Sequence, residues 1–315
     1  MYFIIIGAVL LALIFLHILI SYIAYRYVFA RDKRREPSLM KGLVGKLTPE
    51  RERKRELIGE LGCIPSEDVF ITSHDGLRLR AMYLKGEPDR PVAIGFHGYR
   101  SSALRDLAGL ATYYYYRGYD VLLVDERAHG ESEGRCITFG AKERLDVLSW
   151  ARYAEATFGK NKRIILFGMS MGAASVLLAT ELDLPRGVIG AVADCPFSSA
   201  SGIIAEVSRS KGIPTKLLFP AIRLGARAFG GFNLSKTEPA KAVRNSRIPI
   251  LLIHGTGDTF VPHEMSDELA RVGKDIDYVK ISGAPHLLSM MCDEEKYTAA
   301  LDCFNKKILD LKEDL

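Results

Sequence analysis

The sequence predicts an α/β protein: a mostly parallel central sheet with helices on both faces, a helical cap insertion, and an N-terminal transmembrane helix. Three observations carry this prediction. Short apolar runs rich in Val and Ile recur between residues 91 and 282, and most are separated by helical stretches. One connection, from Asp194 to Ile248, exceeds fifty residues, too long for a simple loop in a compact domain. The first 25 residues carry no charged side chain and are dominated by Ile, Leu, Val, Phe, Ala and Tyr.

As a helix, residues 1–25 would extend about 37 Å, enough for a hydrocarbon layer of about 30 Å. A cleaved signal peptide is the rival reading. It usually has a basic leading region and a shorter apolar core, and neither is present, although Val28-Phe29-Ala30 has the form of a cleavage site. The flanking charge sets the orientation. Arg26, Arg31, Lys33, Arg34 and Arg35 all follow the span, which places the bulk of the chain in the cytoplasm.

Residues 26–55 hold eleven Lys/Arg and four Asp/Glu, a net +7, whereas the whole chain is +5. The basic excess is therefore a local collar suited to anionic lipid headgroups, so membrane lipid is the expected partner and nucleic acid is not. Within it, Thr48 as N-cap, Pro49 in the first turn and Gly62 at the end predict a helix, either solvated or against lipid. The expected organisation is an anchor at 1–25, a basic juxtamembrane linker or helix at 26–62, and an α/β domain at 63–315 with its cap at about 198–240. Five sparse cysteines without a C-x-x-C pair suggest neither a disulfide framework nor a zinc site, in keeping with a reducing compartment.

The stretch 69–84 alternates about Asp75-Gly76, a hairpin signal. Buried strands are then expected at 91–96, 119–125, 163–168, 187–194, 248–255 and 277–282. Four consecutive tyrosines at 113–116 fall in a helical stretch, where their rings point all round and are read as wall packing. In the long connection, Ile203, Ile204 and Val207, then Leu218, Ile222, Ala226 and Phe229, have helical spacing. They predict a helical cap over the C-terminal edge of the sheet, where ligands bind in such folds.

Two segments have the form G-x-S-x-G: Gly130–Gly134 around Ser132, and Gly168–Gly172 around Ser170. A nucleophile elbow requires a strand running directly into the serine, a helix leaving it at once, and glycines where side chains would collide. Ser170 meets all three conditions, between RIILF and AASVLLATEL. Ser132 lies seven residues beyond Asp125, where its strand ends, is not followed by a helix, and is flanked by Glu131 and Glu133. Ser170 is therefore the expected nucleophile.

A serine hydroxyl needs a base, and the base needs an orienting carboxylate. Asp258 follows the strand at 248–255 and His286 follows the strand at 277–282, both at the sheet edge of the elbow. His263 is the second choice of base and Asp194 the rival acid, while His97 and His254 read as loop braces and His129 as part of a structural loop. The expected oxyanion donors are the backbone N–H groups of Met171, after the nucleophile, and Tyr99, after His97-Gly98.

With GFHGYRSS, DERAHGESEG, FGMSMG, HGTGDTFVP and GAPH in this order, residues 69–310 resemble the α/β-hydrolase family, especially cap-bearing bacterial enzymes of the serine-aminopeptidase, monoacylglycerol-lipase and acyl-esterase type. The resemblance implies a Ser-His-Asp triad with no metal and no organic cofactor, and a scaffold role for the DxRxHGxS segment. The expectation is hydrolysis of an ester, thioester or amide in a small-molecule acyl substrate, hydrophobic or lipid-like, at the membrane. Short peptides are the alternative, but residues 198–237 contain one acid, Glu206, among several Lys and Arg, a poor match to a substrate amine. A non-catalytic, membrane-tethered binding module is a further alternative. A Rossmann oxidoreductase is disfavoured, because no G-x-G-x-x-G follows the first parallel strand.

Overall fold

The computed structural model describes residues 1–32 and 48–311. An eight-stranded sheet, β1 (Glu67–Thr72), β2 (Arg78–Leu84), β3 (Val92–Phe96), β4 (Asp120–Val124), β5 (Ile164–Met169), β6 (Val188–Asp194), β7 (Ile250–Gly255) and β8 (Ile276–Ile281), runs in the order β1-β2-β4-β3-β5-β6-β7-β8. The β1–β2 hairpin is antiparallel and joins β4 antiparallel; every later pairing is parallel. Strands β3 to β7 are buried at every position, as their uninterrupted apolar runs require.

Helices cover both faces. On one face, α2 (Pro49–Cys63), α3 (Ala103–Tyr115) and α11 (Glu294–Asp310) enclose a core with Leu57, Tyr114, Phe167, Tyr297 and Phe304. On the other, α4 (Glu143–Phe158), α5 (Met171–Ala179), α8 (Pro239–Arg244) and α9 (Glu264–Val272) pack around Trp150, Val176, Leu177 and Leu252. The short α10 (Ser289–Cys292) precedes α11. Of the four tyrosines at 113–116, Tyr113 and Tyr114 are buried and Tyr116 is exposed, the outcome expected of rings spread round a helix.

The long connection forms α6 (Ala200–Ser210), α7 (Thr215–Ala228) and a 3₁₀ turn at Leu234–Lys236 before α8. With Phe139, Met171 and Phe197 beneath them, α6 and α7 build a third apolar cluster above the sheet's C-terminal edge. The Ser199 side chain caps α6 by accepting from Gly202 N at 2.9 Å.

Near the N-terminus the structure differs from the sequence-based division. Helix α1 (Tyr2–Val28) continues through Arg26 for three residues beyond the expected end of the span. Phe29, fully buried, then packs edge-on against Phe139 and Phe232 at ring distances of 5.8 and 5.2 Å. Ala30 bridges Cys136. Residues 26–32 therefore dock on the α/β domain. So does α2, which buries Leu57, Ile58 and Leu61 and extends one residue past Gly62. Thr48 makes no side-chain capping bond. The reason is that three apolar residues on one face of a charged helix are enough to seat it against α3. The collar residues Lys33, Arg34, Arg35, Lys41 and Lys46 lie outside the described residues.

Candidate active site

Strand β5 ends at Met169 and α5 begins at Met171, so Ser170 is the whole turn between them. Its backbone has φ 54 and ψ −114, a conformation that L-residues rarely adopt and that stores strain where a side chain must be held out. The flanking glycines are required by space. A Cβ on Gly168 would lie 2.5 Å from Gly172 C, and one on Gly172 would lie 2.1 Å from Phe96 O. Gly172→Ala is thus expected to destabilise the fold by about 1–3 kcal/mol through overpacking, measured as a lower midpoint in chemical denaturation.

The structure brings Ser170, His286 and Asp258 together. His286 Nε2 lies 3.1 Å from Ser170 Oγ, and His286 Nδ1 lies 2.6 Å from Asp258 Oδ2. The other Asp258 oxygen accepts from Phe260 N at 2.9 Å and Val261 N at 2.8 Å. Burial works against ionisation of Asp258, but bonds from His254 and His286 and backbone donation outweigh it and hold the carboxyl well below the usual range. This pairing depends on further glycines. A Cβ on Gly255 would sit 2.1 Å from Ala284 O, and one on Gly257 2.4 Å from Gly283 O. Bare backbone there lets the Asp258 and His286 loops lie against one another.

The rival residues are placed elsewhere. Asp194 receives bonds from Tyr297 Oη at 2.9 Å and Ser289 Oγ at 3.4 Å, and its carbonyl accepts from Ser170 N at 2.9 Å. It braces the elbow from below and makes no bond to His286 among those described. His263 pairs with Glu264 at 3.6 Å. His254 Nε2 donates to Val261 O at 2.9 Å, and Nδ1 accepts from Ser266 Oγ at 2.7 Å, bracing the Asp258 loop.

His97 Nε2 accepts from Glu126 N at 3.2 Å, and His129 Nε2 accepts from Arg100 N at 2.9 Å. The two rings meet edge to face at 4.9 Å and latch the 97–100 loop to the loop after β4. Burial pushes His129 well below the ordinary histidine range, which keeps its ring nitrogen an acceptor. Gly98 N donates to Asp106 Oδ2 at 3.0 Å, and a Cβ on Gly98 would touch Ser170 Cβ at 3.4 Å. Tyr99 is thereby held beside the serine. Met171 occupies the first helical position of α5, where an N–H has no intrahelical acceptor.

Ser132 is structural. Its hydroxyl donates to Asp125 O at 2.5 Å and accepts from Arg80 N at 2.8 Å, fully buried within the loop after β4. Ser132→Ala is expected to cost about 1–3 kcal/mol of stability while leaving hydrolytic kcat within about twofold. A larger kinetic loss in folded protein would restore its candidacy as nucleophile. Sequence reasoning missed two neighbours of the site. Phe260 stacks obliquely on His286 at 5.0 Å, and Cys195, with φ 47, lies within 4.8 Å of the Asp258 and His286 ligand atoms. Burial pushes the Cys195 thiol far up, so it stays protonated. Neither residue has a motif to announce it.

Above Ser170 opens an apolar cavity of about 420 Å³, lined by Tyr99, Phe139, Met171, Phe197, Ile204 and Ile222 among others. Among the described residues that line it, Lys211 is the one with a charged side chain.

Comparison with known proteins places this geometry in context. A family model described as serine aminopeptidase, S33, matches residues 87–246. A protein of Bacillus subtilis, YqkD, is 27% identical over 153 residues, covering 48% of this chain and 50% of that protein. The Escherichia coli K12 protein YfhR is 24% identical over 216 residues, 67% of this chain and 69% of its own. The chain thus matches about half the length of the first of these relatives. Among solved structures, the esterase Pf2001 of Pyrococcus furiosus aligns with a TM-score of 0.64 at 24% identity, covering 84% of this chain and 97% of that one. That likeness carries the fold.

Proposed function

The chain belongs to the serine aminopeptidase S33 family of α/β hydrolases, and from that premise we propose that it is a membrane-anchored serine hydrolase cleaving acyl esters of hydrophobic, lipid-like substrates. The observation that carries the reading is the 3.1 Å approach of His286 Nε2 to Ser170 Oγ with Asp258 2.6 Å behind the ring. His286 takes the hydroxyl proton as Ser170 Oγ bonds to the acyl carbon. The N–H groups of Met171 and Tyr99 hold the resulting oxyanion, and Asp258 stabilises the imidazolium. Collapse breaks the carbonyl–oxygen bond to the leaving group, which departs as an alcohol with the proton from His286. Water then gives a proton to His286 as its oxygen bonds to the acyl carbon; the bond from that carbon to Ser170 Oγ breaks, His286 returns the proton to Oγ, and the acid leaves.

The cap supports an ester over a peptide. An aminopeptidase needs an anion for the substrate amine, whereas the described lining of this cavity is apolar, with Lys211 as its charged side chain. The one acid in α6, Glu206, is paired with Arg209. The proposed membrane partner rests on α1, a 27-residue helix long and apolar enough to cross a membrane. The flanking arginines favour a cytoplasmic catalytic domain; labelling of cysteines in the domain from outside intact cells would overturn that side assignment.

A fluorophosphonate probe tests the chemistry. It is expected to modify Ser170, and acyl esters are expected to be turned over faster than amino-acid amides. Folded protein that takes no label would make it a binding module, and faster amide turnover would make it a peptidase.

A further inference from the structure

The cavity above Ser170 is closed on one side by the N-terminal helix. Ile20, Ile23, Ala24, Tyr27 and Val28 of α1 line it, facing Ile203, Val207, Leu218 and Ile222 of the cap. This contact is built. Helix α1 meets α7 closely enough that a Cβ on Gly225 would lie 2.5 Å from Ser21 O, and Phe229 packs on Tyr22 at 5.2 Å. Small residues at a crossing are what permit two apolar helices to approach this closely.

The end of α1 is also bonded to the catalytic loops. A helix C-terminus leaves carbonyls without intrahelical donors. Here Tyr99 Oη donates to Val28 O at 2.7 Å, and Arg100 Nη2 donates to Tyr27 O at 2.9 Å and to Ala30 O at 3.1 Å. These donors belong to the loop expected to furnish the second oxyanion N–H. Ile137 N donates to Phe29 O at 2.7 Å, and Arg31 Nη1 donates to Ser132 O at 2.7 Å. An anchor that only tethered the domain would need none of these bonds.

The exposure of α1 divides at the same place. Apart from half-buried Gly7, residues 2–19 are exposed and apolar or aromatic except for His17. They extend about 27 Å as helix, close to a hydrocarbon layer of about 30 Å. From Ile20 onward one face of the helix is covered: Ile20, Ser21, Ala24, Tyr25 and Val28 are buried or half-buried, while Tyr22, Ile23, Arg26 and Tyr27 keep exposed surface. The segment suited to lipid therefore runs without a break into the wall of the cavity. Arg223 and Arg227 lie on α7, where long basic side chains keep their charge in water while their stems cover apolar surface.

We propose that α1 is a wall of the acyl-binding site as well as an anchor, and that the substrate is a bilayer-resident acyl ester whose chain passes along α1 into the cavity. The proposal rests on the serine-hydrolase reading above and names the route and source of its substrate. It also requires α1 to be retained, since cleavage after Ala30 would open the cavity and remove the acceptors of Tyr99 Oη and Arg100 Nη2.

The full chain in lipid nanodiscs is treated with a long-chain alkyl fluorophosphonate carrying a diazirine at mid-chain, then irradiated, and the cross-linked peptides are mapped. The expected result is a link from labelled Ser170 to residues 20–28. Links confined to α6, α7 or Phe139 would overturn the proposal. Absence of label on Ser170 would instead defeat the serine-hydrolase reading on which it rests. In parallel, Ala24→Trp is expected to lower the ratio of long-chain to short-chain ester kcat/KM at least tenfold. Leu11→Trp, on the exposed stretch, is expected to leave that ratio unchanged. An unaltered ratio in folded Ala24→Trp protein would overturn the proposal, and if that variant does not fold, the cross-link decides.

Discussion

Ser170→Ala is expected to lower kcat for a good acyl ester by about 10⁶-fold, to abolish fluorophosphonate labelling, and to leave the thermal midpoint nearly unchanged. The loss is large because the hydroxyl supplies the bond-forming atom, and its geometry has no substitute nearby. Ser132 is committed to Asp125 O and Arg80 N, and Cys195 is held as a buried thiol. The residual rate over water would come from binding and from the oxyanion donors, which act without the serine. Because Ser170 and His286 act as one unit, His286→Ala should cost about as much, and the double variant little more than either alone. Active-site titration beside steady-state kinetics checks this. A Ser170→Ala enzyme within tenfold of the parent would remove the proposed mechanism.

Asp258→Asn is expected to reduce kcat by about 10⁴-fold with little change in KM, and the structure says why. Two backbone donors, Phe260 N and Val261 N, converge on Asp258 Oδ1. In the asparagine they would hold the amide oxygen at that position and turn the NH₂ group toward His286. A donor would then face Nδ1, and the imidazole would have to accept there and carry its proton on Nε2, opposite Ser170. In that tautomer it cannot take the hydroxyl proton. Asp194→Asn is the control: Asp194 bonds Tyr297 and Ser289, so its effect should appear in stability and not in the base. If instead Asp194→Asn carries the kinetic loss and Asp258→Asn does not, the assigned acid is wrong.

Several expectations were legible because they depend on local pattern. Val- and Ile-rich runs marked the strands, and all six fall within two residues of their expected limits, but only β3 to β7 are buried throughout; β8, expected to be buried, is the half-buried edge strand, because it has a neighbour on one side only. Gly168 and Gly172 marked a turn where a Cβ has no room, and the contacts at Phe96 and Gly172 supply the reason. The glycines of HGTGD were visible, but their purpose was not. They permit backbone contact with residues 283–284, a pairing that no local window contains. The sequence marks His97 as a loop brace and His129 as part of a structural loop, but that the two rings latch one another's loops is decided by the tertiary structure.

By itself, the sequence determined the order of elements, the position of the elbow, and a short set of acids and bases at one sheet edge. These follow from periodicity, backbone sterics and chain order, which act over a few residues. Tertiary structure decided which acid faces which base, that α2 belongs to the core, and that the last turns of α1 close the cavity above Ser170. The physical reason is that burial of apolar surface is non-directional. Ile20, Ile23 and Ala24 lose water equally well against lipid, the cap or a bound acyl chain, and only packing in three dimensions chooses among them.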